Sequence, residues 1–500
     1  MKGAPLVDNP GDYINGRFVL GPENQCIRIL SPADDQDLVS QHRVSMSHVE
    51  HACDVARQAW PAWRRKHASE RAALLRRYQE KLRSYQSDMV DVLCREIAKP
   101  HWEATGEVAA MIAKVDTLLD EGAQWTQLQH LSDLPGDIRY PPLGVIGILG
   151  PFNFPGHLPN GQIVAALALG NTLVFKPSDK APSMGYWIAR CIHEAGFPAG
   201  VFSMLQGDST LAAALLAQPQ LDAVLFTGSA EVGHRIAQEQ HQRFPSRLVA
   251  LELGGKNAAI MLEDCHLEHA LRHVAFGALA TAGQRCTATS RLFVHRTRLD
   301  ESVERLQSIW QGVRIGHPLD EGVFMGPLIN DQTATRWQQA TQKAASQGYQ
   351  ALQSAQRHRV PGYSGHYVKP SLHLAPHSTH AVAGYTDDEL FAPDLAIYPF
   401  DDLEEAVHAT NQSHFGLSAA VFTSSREHFE YAADGLRVGV LHWNRGTAGA
   451  SGRLPFGGIK QSGNHHPAGI CVGALCTYAQ GVLLDKEAQP PSLPSWPGLV

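Results

Sequence analysis

No uninterrupted apolar stretch in the 500 residues approaches the roughly 18 needed to span a membrane. There is no block of Lys and Arg either, and charged residues make up only 18% of the chain, with a formal net charge of −7. The electrostatic footprint of a nucleic-acid binder is therefore missing, as is that of a basic membrane-surface helix. Cysteine is sparse: eight residues, at 26, 53, 94, 191, 265, 286, 471 and 476, with no CxxC pair, argue against a disulfide or zinc framework. The N-terminal MKGAPLVDNPGDYING lacks an apolar core and does not read as a secretory signal. These absences make a reducing cytoplasm the expected compartment. With 44% hydrophobic residues the chain is too apolar for a disordered protein. No self-similarity appears at the periods of roughly 20 to 50 residues that mark solenoids and propellers.

What is present reads as a long α/β protein of two or three domains, at roughly 150 residues each. A hairpin is expected at Asn15-Gly16. Residues 47 to 125 are almost wholly helix-forming, with Leu74, Leu75, Tyr78 and Leu82 at helical spacing. From Leu143 onward, short apolar runs ending in Gly, Pro or Ser (GVIGILG, NTLVFKPS, AVLFTGS, LVALELGG, AAIML, RLFVH) alternate with amphipathic segments. That alternation predicts βαβ units and two mostly parallel sheets. Residues 350 to 380, rich in Gly, Pro, Ser and His, read as a surface excursion, and the final QPPSLPSWPGLV as an extended tail.

Five places carry chemistry. Cys286 follows an Ala-rich run, residues 275 to 282, that reads as a buried helix, and Gly283 is placed to end that helix in the left-handed conformation. Glu252 lies in the apolar LVALELGG, where a carboxylate is costly unless paired or functional; burial would raise its pKa toward that of a general base. Asn153, in PFNFP after GVIGILG, sits at a strand's carboxyl end, where α/β sheets form ligand crevices, and its amide suits an oxyanion. Gly228, Ser229 and Gly233 follow the strand-like DAVLF and open a helix whose free N–H groups can face a pyrophosphate. Lys176 and Asp179, in FKPSD, end the preceding strand and can hold ribose hydroxyls. Taken singly, each has a plainer reading: an inert thiol, an edge-strand Glu, a turn Asn, an ordinary helix start, a solvated ion pair. The stripe Cys265, His266, His269 and His273 reads as a solvated helix face rather than a metal site. Cys471 and Cys476 read as core thiols, and His465-His466 as loop residues or part of a substrate mouth.

In order along the chain, YINGRF, REIAKPHWEA, PFNFP, FKPSD, FTGSAEVG, LELGGKN, GQRCT, GPLI, DELFAP and PFGGIKQSG resemble the motifs of the aldehyde dehydrogenase superfamily. The resemblance implies two parallel α/β domains plus a small β oligomerisation arm. An NAD-binding domain would comprise residues 1–120 and 143–251, and a catalytic domain 252–440. The arm would comprise 121–142 and 470–486, and residues 441–469 would return to line the active site. It implies Cys286 as nucleophile, Glu252 as general base and Asn153 as oxyanion donor. Lys176, Asp179, Gly228, Ser229, Gly233, Glu389 and Phe391 would bind NAD, with Trp443 and Asn444 lining the approach to the thiol. Retention of Glu252 favours hydrolysis to a carboxylic acid over an acyl-CoA product. The partners so implied are a small-molecule aldehyde and further copies of the chain, as a homodimer or higher homo-oligomer, with no resident metal.

Two positions depart from the family pattern. Asp179 stands where Glu is usual, though its charge still disfavours a 2′-phosphate. Ala392 stands in a Gly place, costly if positive φ is required there. PGHLPNG and GNH are similar to the succinylglutamate semialdehyde dehydrogenases of arginine catabolism. Such an anionic substrate calls for a cation from Arg285, Arg291, Arg445, Arg453 or His157. The alternatives are a general or other semialdehyde dehydrogenase and a non-catalytic binding protein on the same fold.

Overall fold

The computed structural model describes residues 6–8, 10–22, 25–131 and 136–484. The expected C-terminal tail and residues 485–486 of the arm lie outside the described residues. The strands Asp12–Ile14 and Arg17–Val19 form the expected hairpin, with Asn15 at φ 50° and Gly16 at φ 78° supplying the two left-handed residues of a type I′ turn.

Four helices follow: α1 (His48–Arg65), α2 (Ala68–Ser84), α3 (Gln86–Glu96) and α4 (His101–Asp116). Helix α2 opens with a capping box between His67 and Glu70 and buries Leu74, Leu75, Tyr78 and Leu82. Burying one such side chain stabilises by roughly 1.5–3 kcal/mol, against tenths for most differences in helix propensity. The packed stripe therefore sets the helix.

The first seven-stranded sheet runs, in spatial order, Leu248–Glu252, Ala223–Thr227, Val145–Leu149, Thr172–Lys176 and Phe202–Met204, all parallel, and closes with the antiparallel N-terminal hairpin. Helices α5 (His157–Ala168), α6 (Pro182–Glu194), α7 (Ser209–Leu216) and α8 (Ala230–Arg243) alternate with these strands. The strand order reverses at Val145–Leu149: the chain first builds outward through Thr172–Lys176, then returns to its other side. A crevice opens at such a reversal, beyond the carboxyl ends of the strands.

The second seven-stranded sheet runs Gln350–Gln353, Ser371–Leu374, Asp394–Phe400, Thr289–His295, Asn257–Met261, Ser418–Phe422 and Val440–Trp443; only Gln350–Gln353 is antiparallel. Residues 350–380 are thus not merely a surface excursion, since they supply two strands of this sheet and a separate pair, Gln356–Arg357 with Val368–Lys369. Ser371 and His373 disguise a buried strand because their polar groups are satisfied inside the protein, both by Asp394.

A three-stranded antiparallel sheet, with Gly136–Arg139 between Gln129–Leu131 and Gln480–Leu483, joins the segments expected to form the arm. Among the described residues, no helix is long and apolar enough to cross a membrane.

Candidate active site

The pairings Thr227↔Glu252 and Leu149↔Lys176 align four strand ends of the first sheet. Glu252, the Gly228-Ser229 turn, the Pro151–Pro155 loop and Lys176 are therefore delivered to one edge in that order. Cys286 comes from the other side, in the loop that leads into the strand Thr289–His295 of the second sheet. Helix α9 (Leu267–Leu279) ends sooner than the Ala-rich run suggests, because Thr281 (φ 55°), Ala282 (φ 52°) and Gly283 (φ 68°) are all left-handed. At Gly283 the glycine is obligatory, since a Cβ would stand 2.3 Å from the Ala392 carbonyl oxygen.

Helix α4 holds both loops. Glu103 accepts from the Thr281 N–H and hydroxyl, each at 2.9 Å, and pairs with Arg285. One turn on, Glu107 accepts from the Gly156 and His157 N–H groups at 3.0 and 3.1 Å and pairs with buried Lys99, whose Nζ donates to the Asn153 carbonyl at 2.6 Å. The Asn153 amide then donates to the Gln284 carbonyl at 2.9 Å. Asn257 holds the far side, donating to the Cys286 and Ala288 carbonyls at 2.8 and 2.9 Å.

Glu252 is buried, and neither carboxylate oxygen has a hydrogen-bond partner among the described residues. The Cys286 thiol is close enough to act on it electrostatically, yet no hydrogen bond of normal geometry joins them. Burial pushes Glu252 up to about 8; the thiol opposes this and the Glu389 charge adds to it. Burial pushes Glu389 up to about 7, opposed by the Gly255 N–H, Arg336 and Lys256. Burial and these two carboxylates hold the Cys286 thiol well above its ordinary value, against the Thr287 N–H. The resting sulfur is thus a thiol, with a proton acceptor beside it poised near neutrality.

The LELGG glycines make this cluster possible. A Cβ on Gly254 would meet Glu389 Oε2 at 2.1 Å, and one on Gly255 the Cys286 carbonyl oxygen at 2.7 Å. Glu389 Oε1 accepts from the Gly255 N–H at 3.0 Å. Phe391 is itself left-handed (φ 53°), and its ring meets Phe152 edge-on at 5.7 Å. The positive φ falls on Phe391 and not on Ala392, so Ala392 carries no left-handed strain.

At the other strand ends, Ser229 caps α8, its hydroxyl accepting from the Val232 N–H at 3.4 Å. A Cβ on Gly228 would meet the Phe226 ring at 2.5 Å, and one on Gly233 the Leu253 side chain at 2.4 Å. Gly233 therefore serves helix-to-strand packing. Lys176 donates to the Pro177 and Gly207 carbonyls at 2.7 and 2.8 Å, and Asp179 is exposed beyond it. The N-terminus of α8 at the strand reversal, the Cβ-free cradle around Glu389 and an exposed carboxylate at the neighbouring strand end fit a dinucleotide.

The expected cations are not all brought to the site. Arg285 is paired with Glu103, Arg453 with Glu121, and Arg291 with the Lys256, Ala409 and Thr410 carbonyls. Arg445 is exposed near His273. The polar groups of Trp443 and Asn444 are satisfied by the Thr423 backbone, and the Trp443 ring stacks on Phe429 at 5.0 Å. They pin the return segment to the second sheet. Asn464, of the GNH signature, pairs with the Leu251 N–H at 2.7 Å and the Val249 carbonyl at 3.1 Å, edging the strand that carries Glu252. The histidine stripe is shorter than expected: His266 precedes α9 at its N-cap position without a side-chain capping bond, and His269 bonds the Asn444 carbonyl at 2.8 Å.

Sequence reasoning missed Lys99, Glu103, Glu107 and Asn257. A signal existed for the two glutamates: they stand beside Ala104 and Val108 on the buried face of α4, where an unpaired carboxylate would be prohibitive.

The model of the aldehyde dehydrogenase family matches residues 18–480. An N-succinylglutamate 5-semialdehyde dehydrogenase of Novosphingobium aromaticivorans is 37% identical over 87% of this chain and 92% of its own. One of Serratia proteamaculans is 35% identical over 99% of both chains. Among solved structures, a 1-pyrroline-5-carboxylate dehydrogenase from Thermus with bound NAD superposes with a TM-score of 0.88 at 26% identity, covering 95% of this chain and 92% of that one. With two sheets, a thiol and a carboxylate meeting between them, and a match running over nearly the whole length, the chain belongs to the aldehyde dehydrogenase family.

Proposed function

We propose that this protein oxidises N-succinylglutamate 5-semialdehyde to N-succinylglutamate, using NAD. The observation that carries the chemistry is the buried Glu252 carboxylate, without hydrogen-bond partners, beside Cys286. The relatives named above support the substrate, and the exposed Asp179 carboxylate disfavours a 2′-phosphate at the ribose.

The Cys286 sulfur bonds to the aldehyde carbon as its proton passes to Glu252, and the carbonyl oxygen becomes an oxyanion. The Asn153 amide and the Cys286 backbone N–H stabilise that charge, being held in place before the reaction begins. NAD, when bound, would supply the hydride acceptor that oxidation to the thioester requires. Ser229 and the N-terminus of α8 would hold its pyrophosphate, Lys176 and Asp179 the adenosine ribose, and Glu389 with Phe391 the nicotinamide half. Glu252 gives its first proton up to solvent and then, as the carboxylate, takes a proton from water, whose oxygen attacks the thioester carbon; the acid is released, and the departing Cys286 thiolate regains its proton from Glu252. The exposed strands of the β arm offer edges that a second copy can extend, giving a homodimer or higher homo-oligomer.

The test is NADH formation, by absorbance, from a panel of aldehydes, with Cys286→Ala as control. Preference for N-succinylglutamate semialdehyde over uncharged aldehydes supports the reading; preference for neutral ones overturns the substrate, and equal inertness of wild type and control overturns the enzyme.

A further inference from the structure

We propose that Lys114, with His157 beside it, anchors a carboxylate of the substrate remote from the aldehyde and so selects an anionic aldehyde. This rests on the aldehyde-oxidising reading above. Lys114 lies on the last turn of α4, is 7% exposed, and forms no ion pair among the described residues. Its Nζ reaches one acceptor, the Gly452 carbonyl in the return segment, at a long 3.4 Å. Burial holds the ammonium down to about 8. A desolvated cation without a counter-charge is costly, and an incoming carboxylate removes that cost. By contrast, Arg285 and Arg453 already have their carboxylates.

The position suits the task. A Cβ on Gly161 would stand 3.1 Å from Lys114 Cε, so the bare glycine of α5 gives the lysine its path across that helix to Gly452. His157 opens the same helix, shortly after the loop that carries Asn153, and its buried Nδ1 has no partner among the described residues. Its imidazole feels both Lys114 and Lys99, and Lys99 touches the Asn153 carbonyl. His157 therefore stands on the helix that follows the oxyanion donor's loop, and Lys114 packs across that helix from α4. A carboxylate there accepts from an ammonium and an uncharged imidazole.

The experiment compares wild type, Lys114→Met and Lys114→Arg at saturating NAD on N-succinylglutamate semialdehyde and on pentanal. In Lys114→Met the ratio of kcat/KM for the anionic over the neutral aldehyde is expected to fall about tenfold to a hundredfold, through KM, as for a lost hydrogen bond to a charge. Lys114→Arg should recover most of it. The acid N-succinylglutamate should raise the melting temperature of wild type but not of Lys114→Met. An unchanged ratio, or equal loss on both aldehydes, overturns the role of Lys114 while leaving the substrate standing. A wild type that does not favour the anionic aldehyde overturns both.

Discussion

The side-chain amide of Asn153 donates to the carbonyl of Gln284 at 2.9 Å, joining the loop that leaves the first sheet to the loop that presents Cys286. One amide hydrogen is thereby fixed on protein, and the other is left for an oxyanion. Asn153→Ala is expected to lower kcat by about 10²–10³-fold, the usual loss for one oxyanion donor. Steady-state kinetics check this, and a loss confined to KM would refute it.

Lys99 and Glu107 are a fully buried pair. Removing one member strands the other charge, so Lys99→Met should destabilise the fold by about 3–5 kcal/mol. Urea unfolding reads this directly, and a loss under 1 kcal/mol (roughly the scale of an exposed pair) would contradict it.

Glu103 acts on the nucleophile loop through Thr281 and Arg285 rather than on substrate. Glu103→Gln should keep the Thr281 N–H bond but weaken the Arg285 contact, lowering kcat more than it raises KM. Alkylation of Cys286 by iodoacetamide should slow in parallel. Unaltered alkylation would place Glu103 outside the positioning of the thiol.

Glu252 is held up at about 8, so turnover limited by thioester hydrolysis should rise as pH increases through about 8. In Glu252→Gln that rise should vanish and steady-state turnover collapse, and the stoichiometric burst of NADH should slow as well, since the same carboxylate takes the Cys286 proton. Stopped-flow absorbance distinguishes the two phases.

The same shift affects stability. The folded carboxyl of Glu252 binds its proton more tightly than the unfolded one, so its contribution is present below about 4.5 and lost as pH rises to about 8. Glu389, held up at about 7, acts in the same direction. Glu252→Gln should therefore melt higher than wild type at pH 9, with the difference vanishing near pH 4. Calorimetry at the two pH values checks the sign.

Much of this was legible in one dimension. Apolar runs ending in Gly or Ser announce parallel strands, and the type I′ pair Asn15-Gly16 announces its hairpin. Cys286, Glu252 and Asn153 stand out because each is a reactive or polar group in an apolar setting. The strands within residues 350–380 were hidden because Ser371 and His373 are satisfied by Asp394, a partner that no local pattern reveals. The helix end before Cys286 was misjudged for a similar reason: Thr281 is held by Glu103, 178 residues away in sequence.

By itself, then, the sequence determined the order of strands and helices and the chemical types available at each strand end, because periodicity and turn chemistry are local. Only the tertiary structure decided which charges are paired and which are not. Arg285 and Arg453 found carboxylates on or just beyond α4, while Lys114 on that same helix found only a distant carbonyl. Ion pairing depends on distances of a few ångströms between residues remote in the chain, and those distances exist only once both domains are packed around α4.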